Sequence, residues 1–241
     1  MTVMQQIPPP DNGSWSRIGS LPNLGALPKI GALPKPGVLP KPELGALTVF
    51  DLEFTAWECS MANHWLRPGE FKEVVQIGAV RLDAASFRLL DEFEILIRPR
   101  VNSTLSPYFE SLTGITNDRL ARHGVDFAEG YDRFADFAGD GPICAFGHDE
   151  WVLEENIRLY GLKRMKALPA FHDLRAWFAA HQVDPRGLHS CDIGPSLGAP
   201  FIGRAHNALD DARSVAARGA RLMPANLAPA SLAAVRLAPA A

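Results

Sequence analysis

Three segments in the first half of the chain carry the hydrophobic pattern of β-strands. Residues 47–55 (LTVFDLEFT) form an apolar run that ends in acidic residues, and residues 73–84 (EVVQIGAVRLDA) are rich in β-branched side chains. Residues 89–99 (LLDEFEILIRP) alternate between apolar and polar positions, and a turn is expected just before them at 83–86. Three consecutive strands with short links predict an antiparallel meander.

Helical patterns follow the three strands. Residues 127–139 place aromatic side chains at helical spacing, which indicates a helix that packs into a core. Residues 142–147 (PICAFG) predict a short buried strand that leads into an amphipathic helix, and residues 168–181 predict a second strand that runs into a helix. An Ala-rich helix with regularly spaced Arg covers 205–222. This order predicts an α/β fold with a mixed central sheet flanked by helices.

The two ends of the chain differ in composition from the middle. Residues 1–46 are rich in Pro, Gly and Leu, and the hexapeptides GALPKI, GALPKP and GVLPKP follow one another over 25–42. A Pro in every hexapeptide excludes a regular helix or a central strand, so we interpret this region as an extended or disordered arm. Residues 224–241, rich in Ala and Pro, predict a frayed tail, which leaves 47–223 as the folded domain.

The arm has two open interpretations. It is either an inert linker or a segment that contacts a phosphate backbone or a protein partner. The second interpretation rests on a lysine that recurs in each hexapeptide: Lys29, Lys35 and Lys41.

Composition narrows the class of protein only moderately. The chain has 241 residues, 47% hydrophobic and 21% charged, which is ordinary for a globular protein. Its net charge of −3 weakly disfavours a protein that binds nucleic acid over an extended surface, but not an enzyme that holds a few nucleotides with the help of metal ions.

No apolar run of about 18 residues and no signal peptide are evident, so no membrane span is expected and the cytoplasm is the expected location. Three cysteines without a CxxC pair predict buried thiols rather than a disulfide framework or a zinc knuckle.

Two carboxylates stand at the end of the first predicted strand. Asp51 and Glu53 are two residues apart, so both point to the same face of the strand. Adjacent anions repel each other unless a positive charge lies between them, and a hard divalent cation with oxygen ligands is the usual solution. Taken alone, the pair more often indicates a polar strand end that faces water.

Two further segments carry candidate ligands. His206 and Asp211 are five residues apart, which advances a helix by about 140°, so they cannot share one helical face. His206 is therefore expected in the loop before the last helix, with Asp211 on the first or second turn, and both reach one cavity. Asp149 stands between a predicted strand and a helix. Asp149 and Asp211 also suit plain structural roles, as an N-cap and as a partner of the helix dipole respectively.

Taken together and in this order, these motifs resemble the DEDDh 3′→5′ exonuclease family of the DnaQ-like, RNase H-like superfamily. The chain is most similar to the branch that contains histone-mRNA exonucleases and an inhibitor of a sporulation kinase pathway. Residues 73–80 resemble the family's second strand, E-I-I-E-I-G-A-V, with Gln76 in place of the second Glu. Residues 105–109 and 112–116 resemble a segment ending in L-T-G-I-T that borders the substrate site in the family. The resemblance spans about residues 46–222.

The resemblance implies roles for particular residues. It makes Asp51, Glu53, Asp149 and Asp211 the ligands of two metal ions, Mg²⁺ or Mn²⁺ because all four are carboxylates, and His206 the general base. Glu150 and Asp140 are rival candidates for the third ligand. Asn207 stands where the tyrosine variant of the family would need Tyr, which indicates the histidine class. The predicted substrate contacts are Phe54, Leu112 and Thr113.

The implied activity is removal of nucleotides from the 3′ end of single-stranded RNA or DNA, with release of nucleoside 5′-monophosphates. Phe54 stands where several members have Thr, so contacts with the terminal nucleotide are expected to differ, and Leu112 also suits a core position. The alternative is a regulatory protein that uses the same fold to bind a protein partner, through the Pro-rich arm.

Overall fold

The computed structural model of the chain describes residues 45–196 and 201–222. The predicted tail at 224–241 and all but the last two residues of the predicted arm lie outside the described residues. Within the described part of the chain, no helix has the length and apolar character needed to cross a membrane.

A mixed five-stranded sheet forms the centre of the structure, as predicted. Its strands are β1 (Ala46–Phe54), β2 (Val74–Asp83), β3 (Leu89–Leu96), β4 (Ile143–Ala145) and β5 (Phe171–Asp173). The strand order is β3-β2-β1-β4-β5. The first three strands form the predicted antiparallel meander, and β4 and β5 add to β1 in parallel. Because β1, β4 and β5 are parallel, their carboxyl ends meet at one edge of the sheet.

Helices surround this sheet. The four longer predicted ones are present as α4 (Phe127–Ala138), α5 (Asp149–Leu159), α6 (Leu174–Ala180) and α8 (Ala208–Leu222). Shorter helices are α1 (Ser60–Asn63), α2 (Pro107–Thr113), α3 (Asn117–His123) and α7 (Ile193–Ser196), and a 3-10 helix covers Ser190–Asp192. The start of α2 is well defined, since Ser106 accepts a hydrogen bond from the Phe109 amide and Pro107 occupies the first helical position.

Strand β1 is buried on both faces, which accounts for its continuous apolar run. Phe50 and Leu52 pack into a cluster with Phe134 of α4. Leu47 and Val49 pack into a second cluster on the opposite face, and α6 and α8 complete that cluster. Since side chains alternate along a strand, the odd-numbered carboxylates of β1 lie on the α8 face.

The cysteines only partly match the expectation of buried thiols. Cys144 is buried in β4, where burial raises its thiol pKa to about 12. Cys59 is exposed, so the expectation is wrong for that residue, and Cys191 is half-buried. All three are free thiols in this structure.

Candidate active site

Asp51 and Glu53 lie side by side on the α8 face of β1, as their spacing predicts. Both are buried, with 8% and 7% of their surface exposed. Burial raises the pKa of Asp51 to about 7, and a hydrogen bond from Ser190 acts in the opposite direction. Burial also raises the pKa of Glu53 well above its usual value, and the negative charges of Asp51, Asp211 and Asp149 add to this shift.

The start of α8 brings a third carboxylate to the same place. Asp211 lies in the first turn of this helix and is 4% exposed. Its Oδ2 accepts a hydrogen bond of 3.2 Å from the His206 amide, whereas its Oδ1 is buried without a hydrogen-bond partner. Burial, followed by the charge of Asp51, raises the Asp211 pKa to about 8. One carboxylate oxygen is therefore free for a ligand.

His206 lies in the loop before α8, as predicted. Its backbone adopts the left-handed conformation, with φ of 62°. A ring nitrogen of His206 and carboxylate oxygens of Glu53 and Asp211 all lie within 4.8 Å of one another. Burial, and then the neighbouring His189, lower the pKa of the His206 imidazole. The neutral ring is therefore favoured at neutral pH.

Asp149 supplies the fourth carboxylate. It is the first residue of α5, and the N-cap position belongs to His148, so Asp149 does not cap the helix. Burial raises the pKa of Asp149, and the nearby charge of Asp51 is the next largest cause. The neighbouring Glu150 shares the nearby charges of Asp173 and Arg175 with Asp149, but the charge of Asp51 acts on Asp149 and is not among the causes of the Glu150 shift.

The second rival for the third ligand, Asp140, is exposed beyond the end of α4. Asp149 is the candidate whose pKa is raised by the charge of Asp51 and whose own charge raises the pKa of Glu53.

The charge of Arg175 lowers the pKa of Asp149, but the ion pair of Arg175 is with Asp173 and not with any of the four carboxylates. None of the ion pairs formed among the described residues involves any of the four. Buried carboxylates that repel each other, together with an unpartnered oxygen on Asp211, fit a divalent metal ion with oxygen ligands.

The family model described as Exonuclease matches residues 48–217. The chain belongs to the exonuclease family. This confirms the predicted family, the DEDDh 3′→5′ exonucleases, whose members use divalent metal ions.

Curated relatives of this exonuclease domain are exoribonucleases. ERI1 exoribonuclease 2 of Danio rerio is 29% identical over 202 residues, which cover 73% of this chain and 35% of that protein. The 3′-5′ exoribonuclease 1 of Rattus norvegicus is 26% identical over 190 residues, which cover 73% of this chain and 52% of that protein. The chain thus spans between a third and about half of the length of these relatives.

Solved structures of exonucleases share the fold of this domain. One is the nuclease domain of 3′hExo, described as a DEDDh family member bound to rAMP, with a TM-score of 0.63 and 23% identity. That match covers 74% of this chain and 92% of the other. Cell-death related nuclease 4 matches with a TM-score of 0.60 and 19% identity, over 74% of this chain and 64% of the other. These likenesses confirm the predicted RNase H-like fold.

One residue of this exonuclease site was not predicted. Ser190, in the 3-10 helix, donates a hydrogen bond of 2.7 Å from its hydroxyl to Oδ1 of Asp51. The two residues are 139 positions apart, and no motif marks the serine in the sequence. Only the path of the chain around the sheet brings it to β1.

The three predicted substrate contacts of the exonuclease domain differ in their surroundings. Phe54 is partly buried at the end of β1, and its ring centroid lies 5.4 Å from that of Trp65. Leu112 is partly buried in α2. Thr113 is 2% exposed, and its hydroxyl donates to the Phe109 carbonyl at 2.9 Å and accepts from the Ile115 amide at 3.0 Å. The Thr113 side chain thus stabilises the end of α2, and all three substrate contacts stay predictions.

Proposed function

We propose that this chain is a 3′→5′ exonuclease that hydrolyses phosphodiester bonds at the 3′ end of single-stranded nucleic acid and releases nucleoside 5′-monophosphates. One observation carries the proposal: carboxylates from three separate segments gather beside a neutral imidazole, and none of them is in an ion pair formed among the described residues. The names of the curated relatives, which are exoribonucleases, support this activity. We also propose that residues 47–223 form the catalytic domain, with 1–46 and 224–241 as appended segments.

The proposed metal ligands are Asp51, Glu53, Asp149 and Asp211. A set of carboxylates favours Mg²⁺ or Mn²⁺ over zinc, which prefers His or Cys ligands. Two bound ions of this kind supply Lewis acidity, lower the pKa of a bound water and stabilise negative charge on the leaving oxygen. Raised carboxylate pKa values support the proposal. Burial raises the pKa of Asp51 and of Asp211, repulsion by Asp51 adds to the shift at Asp211, and a divalent cation offsets both effects.

His206 is the proposed general base. Its imidazole, neutral because burial lowers its pKa, accepts a proton from the water that attacks the phosphorus atom. The new bond forms between the water oxygen and phosphorus, the bond from phosphorus to the 3′-oxygen breaks, and the leaving 3′-oxygen takes up a proton from solvent, to which His206 later returns its own. The hydrogen bond from the His206 amide to Oδ2 of Asp211 fixes the loop that carries His206 relative to the Asp211 carboxylate.

Substrate contacts are proposed at the end of β1 and on α2. Phe54 is proposed to contact a nucleobase at the end of β1, where its partly buried ring lies beside that of Trp65. Leu112 and Thr113 are proposed to border the terminal nucleotide from α2, Thr113 through its backbone, since its hydroxyl is engaged within the helix. RNA is the preferred candidate substrate because the curated relatives are named exoribonucleases.

The test is metal-dependent release of mononucleotides from a 3′-labelled single-stranded RNA and from a DNA of the same sequence. The expected result is release in Mg²⁺ or Mn²⁺, none in EDTA, and none from an Asp211→Asn variant. Failure to hydrolyse either strand with either metal would overturn the proposal and favour the alternative of a binding protein.

A further inference from the structure

Ser190 makes a contact with the proposed metal site that the family motifs do not include. Its hydroxyl donates to Oδ1 of Asp51 at 2.7 Å. Among the described residues, this is the one side-chain or backbone donor that bonds to the Asp51 carboxylate. The orientation of this buried carboxylate therefore depends on Ser190 in the metal-free protein.

The position of Ser190 is set by its surroundings and not by Asp51. The 3-10 helix that carries it is closed by reciprocal bonds, from the His189 amide to Oδ2 of Asp192 and from the Asp192 amide to the His189 carbonyl, both 2.9 Å. The next residue after this helix, Ile193, is fully buried in the core cluster that includes Leu209 of α8. Ser190 is thus anchored from both sides, and its hydroxyl is held at the carboxylate.

The geometry leaves Asp51 free to bind metal. An ionised carboxylate has two oxygens and about four lone-pair directions, of which the hydroxyl of Ser190 takes one. Both lone pairs of Oδ2 and one of Oδ1 remain available. A hydrogen bond to a ligating carboxylate fixes its orientation, and loss of such a partner typically weakens metal binding about 10- to 100-fold.

We propose that Ser190 is a positioning residue that orients Asp51 and thereby increases the affinity of the site for divalent metal ions. This inference rests on the proposed function in one respect, that Asp51 is a metal ligand. Ser190 would make the 3-10 helix a fourth chain segment of the metal site, beside the three segments that supply the carboxylates.

The test measures Mn²⁺ binding to the metal-free, full-length protein by titration calorimetry, with no nucleic acid present. Ser190→Ala is expected to raise the Kd by about 10-fold, and Ser190→Thr, which keeps the hydroxyl, to restore most of the affinity. Ser196→Ala is the matched control, because the Ser196 hydroxyl bonds to the Ile193 carbonyl in the adjacent helix and not to a carboxylate. A Kd for Ser190→Ala equal to that of the wild type would overturn the proposal.

A second readout separates positioning from folding. If Ser190 acts on metal affinity, Ser190→Ala needs more Mn²⁺ for half-maximal hydrolysis but approaches the wild-type rate when Mn²⁺ is saturating. A rate that stays low at saturating Mn²⁺ contradicts a role of Ser190 through metal affinity.

The wild type distinguishes failure of this inference from failure of the proposed function. If the wild type binds Mn²⁺ but does not hydrolyse nucleic acid, only the proposed function is overturned. If the wild type binds no Mn²⁺, both proposals are overturned.

Discussion

The backbone of Gly78 in β2 lies directly against the backbone of Leu209 in α8. A Cβ atom at position 78 would lie 2.0 Å from the Leu209 nitrogen, far inside any van der Waals contact. Next to this contact, the Gln76 side chain accepts a hydrogen bond of 3.0 Å from the Ala208 amide at the start of the same helix. Together these contacts place the first turn of α8, and with it Asp211, against the carboxylates of β1.

Gly78→Ala should therefore damage the fold and the site together. The clash is with backbone, which cannot rotate away, so we expect a loss of about 3 kcal/mol in the free energy of unfolding, the upper end for over-packing. Mn²⁺ affinity should fall as well, because α8 carries Asp211. Chemical denaturation and calorimetry measure the two effects.

Gly161→Ala is the control for this substitution. Gly161 has a positive φ of 63°, but a Cβ atom added there would have no neighbour within 4 Å, so only backbone strain of about 1 kcal/mol is expected. Equal effects of the two substitutions would contradict the account of close strand–helix contact.

The third carboxylate can be assigned by comparing three substitutions. Asp149→Asn should lower the hydrolysis rate by about 10³-fold or more, since it removes a proposed ligand. Glu150→Gln and Asp140→Asn should keep the rate within a few-fold of the wild type, because Glu150 is not among the charges that raise the pKa of Glu53 and Asp140 is exposed beyond α4. If Asp149→Asn stays active and one of these two variants is inactive, the residue replaced in the inactive variant is the third ligand instead of Asp149.

Stability of the metal-free protein should decrease as the pH rises. Burial raises the pKa of Asp51 to about 7 and that of Asp211 to about 8, above the value near 4 of an unfolded aspartate. Between these values the folded chain holds protons that the unfolded chain has released, so unfolding becomes easier with increasing pH. In EDTA, the Tm should be lower at pH 8 than at pH 5.5, and Mn²⁺ should raise it at pH 8.

Asp51→Asn tests the same electrostatic argument by removing one charge. At pH 8 in EDTA, the variant should be more stable than the wild type by on the order of 2 kcal/mol, which raises the Tm by about 4 to 8 °C for a domain of this size. It should also be inactive, a trade of function for stability. A lower Tm for the variant than for the wild type would show that repulsion among the carboxylates does not limit stability.

His206 lies close enough to Glu53 and Asp211 to act either as a metal ligand or as the base. The account predicts that His206→Ala lowers the maximal rate by about 10²- to 10⁴-fold, the usual range for loss of a general base, while the Kd for Mn²⁺ stays close to that of the wild type. Single-turnover kinetics and calorimetry on the same preparation provide both values. A large increase in Kd would identify the imidazole as a ligand.

Local periodicity was sufficient to predict where several candidate residues lie, whereas their proposed roles came from the resemblance to the family. The spacing of Asp51 and Glu53 predicted a shared strand face, and the spacing of His206 and Asp211 predicted a loop followed by the first or second turn of a helix. Both predictions are confirmed by the structure. Each depends only on the geometry of one strand or one helix start, which neighbouring residues determine.

Features that depend on distant parts of the chain were not predictable in this way. Ser190 reaches Asp51 only after the chain has returned across the sheet, and a serine in an irregular segment carries no periodic signal. The sequence equally allowed Asp149 to act as an N-cap, and the structure gives that position to His148. Helix α2 was missed because its seven residues, PYFESLT, are too few to establish a period, although Pro107 after Ser106 is typical of a helix start.

The most direct test of the proposed activity compares a linear single-stranded RNA with the same sequence closed into a circle, both incubated with the protein and Mn²⁺. The account predicts that the linear strand is shortened from its free 3′ end to nucleoside 5′-monophosphates, whereas the circle stays intact. Cleavage of the circle, or an untouched linear strand, would contradict it.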